Sequence, residues 1–232
     1  PRLLDWLAAT LIAYDWNLKP LHRLIMSSAV YRQDTSDNGK DYGRDPENIY
    51  LARWTPRRLE AESIRDSILH AAGTLNTKIG GPSVKPWISR DAIETGSTKK
   101  WPVNVKDGPK TWRRAIYIFM RRSMRMPFLE VFDTPDAMSS RGKRVTTTVA
   151  PQALLLLNNR FVREHAEKFA AAISKEASDD KASVERAYWR ALSRAPSSNE
   201  LELSLEFIRS EGQSLANLCH ALMTLNEFVY VD

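Results

Sequence analysis

From Pro151 onward the apolar residues recur every three to four positions, the spacing of one helix face. That rhythm predicts helices over 151–158, 160–176, 181–193, 199–210 and 214–227. Ser197 followed by Glu200 forms a capping-box pair ahead of LELSLEFI. The same rhythm near the other end predicts helices over 2–14 and 19–32, with Pro20 in a first turn. Asp15-Trp16-Asn17 is then the short link of an αα-hairpin. A further helix is expected over 56–72, with Thr55 as N-cap and Gly73 as its stop. No internal repeat is visible.

Four segments break the rhythm. Residues 33–50 are polar and rich in Asp, Asn and Gly, and read as a loop. Residues 77–112 hold four prolines and three tryptophans and read as one long irregular loop. The β-branched and aromatic centre of RRAIYIFMRR (113–122) predicts a short buried strand near 114–120. Its expected partner is Pro82–Val84 or Val103–Val105. Residues 123–150 are irregular, with a helical turn at Pro127–Phe132 and a turn at Thr134-Pro135-Asp136. The expected fold class is mainly α: a multi-helix bundle with one small β element, in one domain over 1–232. Pro1-Arg2-Leu3-Leu4 reads like the interior of a longer protein.

Apolar residues make up 43% and charged residues 27% of the 232, a globular balance with enough chain to bury a core. No apolar run approaches the ~18–20 residues of a membrane span, and no leader pattern opens the chain. Cys219, the one cysteine, cannot form an internal disulfide and reads as a small core residue. No Cys-x-x-Cys-His is present, so no covalent haem, and no other cofactor, is expected in this chain. The net charge is +6, and residues 101–150 carry ten basic against four acidic side chains. A basic middle either binds anions or pairs with the acidic last third.

The stretch RGKRVTTTVAPQALLLLNN (141–159) concentrates the candidates. Pro151 suits a first helical turn, and the run Leu154–Leu157 predicts a helix buried on every side. The hydroxyls of Thr146–Thr148 can satisfy the free N–H groups at its start. The same geometry with Arg141, Lys143 and Arg144 suits an anion, although Pro151 removes one donor. Arg121, Arg122, Arg144, Thr146, Thr147, Gln152, Trp101 and Trp112 are the candidate anion- or glycan-binding residues. Trp87, Trp101 and Trp112 either stack on sugars or pin the long loop to the core.

The candidate carboxylates are Glu62, Asp66 and Asp133. Glu62 and Asp66 lie four apart on one helix and suit acid–base work or a metal. Arg58 and Arg65 beside them favour an ion-pair network instead. Arg113, Arg114, Arg121, Arg122 and Arg125 are expected to stay solvated, or to pair with carboxylates such as Glu130, Asp133 and Asp136. Asp34, Ser36, Asn38, Gly39 and Asp45 sit at calcium-loop spacing, but Pro46 replaces the exiting helix, so the segment reads as a polar surface loop and no metal is expected. His22 and Ser28 lie about 240° apart around a helix and cannot act as base and nucleophile. His165 and His220 have no sequence partner, so no catalytic triad is signalled.

Several blocks, in order and from end to end, resemble one known family. They are LLDWLA (3–8), LHRLIMSSAVYRQ (21–33), DPEN (45–48), RRLEAESIRDSIL (57–69), GGPSV (80–84), RRAIYIFMRR (113–122), PFLEVFDTPD (127–136), TTTVAPQALLLLNN (146–159) and NEFVYVD (226–232). The family is the planctomycete domain of unknown function numbered fifteen fifty-three, the PSD-one domain. The resemblance implies the C-terminal part of a large exported protein, periplasmic or at the cell surface. It implies N-terminal domains of the same protein as partners, among them a cytochrome c module, and a link to polysaccharide use. It assigns no catalytic residues. Where the family often carries a cysteine ahead of the threonines, this chain has Ser140. The functional expectation is an accessory or binding module that takes glycan or a redox partner. The alternatives are a hydrolase of acidic polysaccharide and, more weakly, a nucleic-acid-binding domain.

Overall fold

A computed structural model describes residues 2–33, 35, 43, 45–89, 93, 101–102, 105–122, 125–136, 138–140 and 142–231. The chain divides into two units, residues 1–57 and residues 58–231.

In the first unit, α1 (Arg2–Ala13) and α2 (Leu18–Met26) form the expected hairpin. Asp15 and Trp16 turn the chain with φ of 51° and 61°, and Asn17 caps α2 by accepting the Lys19 N–H. The second helix is shorter than its apolar rhythm suggests. Ser27 donates to the Leu24 carbonyl and Ser28 accepts the Tyr31 N–H, so local side-chain bonds replace the ladder. The DPEN block folds on itself: the Asp45 carboxylate accepts the Ile49 and Tyr50 N–H groups, which hold it below the usual carboxylate range. Asn48 donates to the Arg53 carbonyl and the Thr55 hydroxyl. Of the calcium-loop positions, Asp34, Ser36, Asn38 and Gly39 lie outside the described residues, and Asp45 is already engaged by backbone.

The second unit is built on α3 (Ala61–Ala71), which buries Ile64, Ile68 and Leu69 completely. It starts five residues later than the expected residue 56. Arg57–Arg58 instead forms strand β1, paired with β2 (Tyr230–Val231), and the Leu59 N–H donates to the Val229 carbonyl at 2.8 Å. Thr55 therefore caps no helix; Glu60 holds that position. At the other end Gly73, with φ 69°, supplies the left-handed stop.

Five helices follow the threonine segment: α5 (Ala150–Asn158), α6 (Arg160–Ile173), α7 (Asp180–Leu192), α8 (Ser198–Arg209) and α9 (Leu215–Thr224). Before them stands α4 (Pro127–Val131), and after them the short α10 (Asn226–Val229). The capping box of Ser197 and Glu200 forms as read. Helices α6 and α9 lie along each other, and Val162, Phe169, Ile173, Cys219, Leu222 and Met223 close the core between them and α7. Cys219 is fully enclosed there, and burial pushes its thiol up to about 12. Among the described residues the fold is mainly α with one small β element, as expected.

The β element does not lie at 114–120. Ala115–Tyr117 is a 3-10 turn, flanked by isolated bridges of Asn76 with Arg113 and Val84 with Ile118. Ile116 is 76% exposed, so the apolar run is not a buried strand. The Asp66 carboxylate takes the Ala115 N–H at 2.7 Å, which turns the chain where a ladder would run. Of the two expected partners, Val84 does meet this segment, accepting from Phe119 and donating to Tyr117. The turn expected at 134–136 falls instead at Phe132-Asp133. Helix α5 is not buried all round either. Gln152 and Leu156 face inward, while Leu154 and Leu157 are half exposed, because α5 lies at the surface of its unit.

Candidate functional site

Pro127 opens α4 at its first position, and the helix lasts one turn. Asp133 follows with φ 64°, a conformation that Asp tolerates better than most residues. Thr134 locks this exit by donating both its N–H and its hydroxyl to the Leu129 carbonyl. The Asp133 carboxylate then collects four donors. Arg58 Nη2 lies at 2.6 Å, the Thr147 N–H at 2.8 Å, the Thr147 hydroxyl at 2.9 Å and Gln152 Nε2 at 3.5 Å. Gln152 also donates to the Val131 carbonyl and accepts the Val149 N–H, so it caps α5 from within.

Arg58 is buried and stacked 5.3 Å from the Phe132 ring centre, so its charge is answered chiefly by Asp133. Breaking a buried pair leaves an uncompensated charge and costs about 3–5 kcal/mol. This junction is where the threonines act. Their hydroxyls do not cap α5, contrary to the expectation from spacing. Thr147 binds Asp133, Thr148 meets the Tyr230 hydroxyl, and the capping position Val149 has no polar side chain to offer.

Outside the junction lies an open cleft of about 350 Å³ walled by Arg125, Glu130, Asp133, Asp136, Lys143 and Arg144. Arg144 bridges Glu62 at 2.7 Å and Glu60 at 3.4 Å, and the Glu62 hydrogen bond raises its pKa further. Arg125 holds Glu130 at 2.6 Å, and Asp136 accepts the Met138 N–H. Lys143 is exposed and has no bonded partner among the described residues.

The sequence candidates thus separate. Arg144, Thr147, Gln152, Glu62 and Asp133 come together, although Glu62 reaches the cleft only through Arg144. Thr146 is exposed and makes no side-chain hydrogen bond among the described residues. Arg121 and Arg122 do not wall the cleft, and neither forms an ion pair among the described residues. Arg141 lies outside the described residues. Asp66 faces away, toward Arg65, Arg114 and the Ala115 N–H; burial raises its pKa against those contacts. Glu62 and Asp66 therefore share a helix but not a site.

The loop tryptophans pin rather than present. Trp101 is 3% exposed and donates its indole N–H to the Pro86 carbonyl, so its face is closed to a sugar. Trp112 packs edge-on against His165, with the Lys168 ammonium over its ring. Trp87 lies half-buried under the Arg160 guanidinium.

Two arginines that spacing misread hold this loop. Arg65 is fully buried and donates to the carbonyls of Arg113 and Thr111, and burial lowers its pKa to about 10, so it stays charged. Arg113 donates to the carbonyls of Lys78, Gly80 and Pro82 and stacks on Tyr117. Arg58 was equally hidden, because a helical reading pairs it with Glu62 rather than Asp133. A guanidinium that answers backbone carbonyls leaves no signal in spacing.

Among the described residues no group of His, Cys, Asp and Glu could hold a metal. No helix is long and apolar enough to cross a membrane. The family model PSD1, described as protein of unknown function (DUF1553), matches residues 1–208. No curated protein and no solved structure matches the chain.

Proposed function

Because the chain belongs to the PSD1 family, whose function is unknown, we propose that it is an accessory binding module that holds an acidic glycan in the cleft beside Asp133. The observation that carries this reading is the commitment of the charges there. Asp133, Glu130, Glu62, Arg58, Arg125 and Arg144 all spend their charge on one another. The Asp133 carboxylate already accepts four donors, so its lone pairs are occupied by the protein rather than turned to a substrate. Among the described residues Lys143 is the cleft cation left to meet an acidic group, and the alternating charges around the wall suit a polyhydroxylated chain. The same alternation counts against a nucleic-acid stripe, which needs one continuous sign. An exported parent protein with N-terminal partner domains, including a cytochrome c module, is the setting the family resemblance implies.

A hydrolase is the second reading, favoured by the convergence of Glu130, Asp133 and Asp136 on one concave surface. One experiment separates the two. Oligogalacturonates titrated by calorimetry are expected to bind, with Lys143→Ala weakening affinity about tenfold and no new reducing ends appearing. New reducing ends that vanish in Asp133→Asn would replace the module with the hydrolase.

A further inference from the structure

The C-terminal ends of α3 and α7 meet at a second cleft, of about 420 Å³, lined by His70, Gly73, Leu75, Thr77, Trp189, Arg190 and Ser193. Its chemistry is the reverse of the Asp133 junction. Trp189 is 58% exposed. The side chains of His70, Thr77 and Ser193 make no hydrogen bond among the described residues. Three uncommitted polar groups and a largely exposed indole therefore share one concavity.

The charges around it select the ligand class. Two helix C-termini give the cleft partial negative charge, which disfavours an anion. A cation is not needed, because Arg190 already supplies one. Its guanidinium lies 3.7 Å from Glu176, rests 5.6 Å from the Phe169 ring centre and passes close over Gly73. What remains is a neutral ligand with an apolar face for the indole and groups that both donate and accept. Hydroxyls meet that need, since they can donate to helix-end carbonyls and accept from Ser193 and Thr77. The volume falls in the range of small-molecule sites, roughly 300–1,000 Å³.

We infer that this cleft binds a neutral saccharide ring stacked on Trp189. The site lies apart from the Asp133 cleft and does not depend on the reading given for it.

The test is a titration of the 232-residue chain with cellohexaose, xylohexaose and mannohexaose, read by ¹H–¹⁵N NMR at the Trp189 indole N–H. At least one of them is expected to give a saturable shift. Trp189→Ala should then lower affinity about tenfold or more, Trp189→Phe should retain part of it, and Lys143→Ala should leave it unchanged. No shift with any neutral oligosaccharide, or equal affinity in Trp189→Ala, overturns the proposal. A response confined to oligogalacturonate overturns it too, and would not touch the reading of the Asp133 cleft. Circular dichroism checks the variants. If Trp189→Ala fails to fold, Trp189→Phe and the shifts at the Ser193 amide decide, and their absence counts against the site.

Discussion

The two ends of α3 put polar residues to opposite use. At its start, Arg58, Glu62, Asp133 and Arg144 are bonded to one another. At its finish, His70, Thr77 and Ser193 have no partner among the described residues, and Trp189 is largely exposed. One helix thus carries a polar cluster that serves the fold and another left over for something outside it. The lesson is that mutually bonded charges hold the fold, and that a ligand at either cleft must be met by what they leave over: Lys143 beside the junction, Trp189 and the hydroxyls at the other end. Unspent hydrogen-bonding capacity beside an exposed ring is the guide to the second cleft.

The sharpest way to break this contrast is to remove the central carboxylate. Asp133→Ala leaves Arg58 buried without its counter-charge, and Asp133 is 19% exposed at its side chain. The expected loss is therefore near the low end for buried pairs, about 3 kcal/mol in chemical denaturation. A loss within about 0.5 kcal/mol, the range of ordinary surface changes, would mean the junction is not a lock at all.

Acid is nearly as strong a probe, and it acts on a different group. His165 is enclosed by Phe161 and Trp112, and burial lowers its pKa to about 4. Its unfolded value is near 6.5, so between those values the unfolded chain binds the extra proton. Stability is fully present above about pH 6.5 and falls toward pH 4 by roughly 3 kcal/mol. Denaturation midpoints across that window should show the decline, and His165→Phe should flatten it. A decline that survives this substitution would overturn its assignment to His165.

The smallest expected effect comes from the other end of the helix. Gly73 holds φ 69°, and a Cβ there would lie 2.9 Å from Arg190 Nη2. Gly73→Ala should cost on the order of 1 kcal/mol and displace Arg190 from the cleft floor. Thermal unfolding measures the first effect and the Trp189 indole resonance the second. An unmoved resonance would show that Arg190 does not shape that cleft.

Much of the helical plan was legible in the sequence, because apolar residues repeating at 3.6 positions leave few other ways to bury a face. The errors share a cause. Residues 57–58 read as helix because Thr55-Pro56 has the form of a helix start, yet β2 arrives from the far end of the chain and pairs with them. The run at 116–119 read as strand from composition, but a distant carboxylate, Asp66, fixes a turn there. The four leucines of α5 read as buried because a one-dimensional pattern cannot say how much of a helix its neighbours cover. Of the Asp133 cleft, Thr147, Gln152, Arg144 and Asp133 were visible as candidates, while their mutual bonding was not. The Trp189 cleft left no mark, since its residues come from α3, the loop after it and the end of α7.

The lone cysteine has a practical consequence. Its sulfur sits in the innermost layer of the second unit, protonated at any ordinary pH. An alkylating reagent can reach it only while that layer is apart. The rate of alkylation in native buffer is therefore a clock for opening of the interior, ticking without any attached dye.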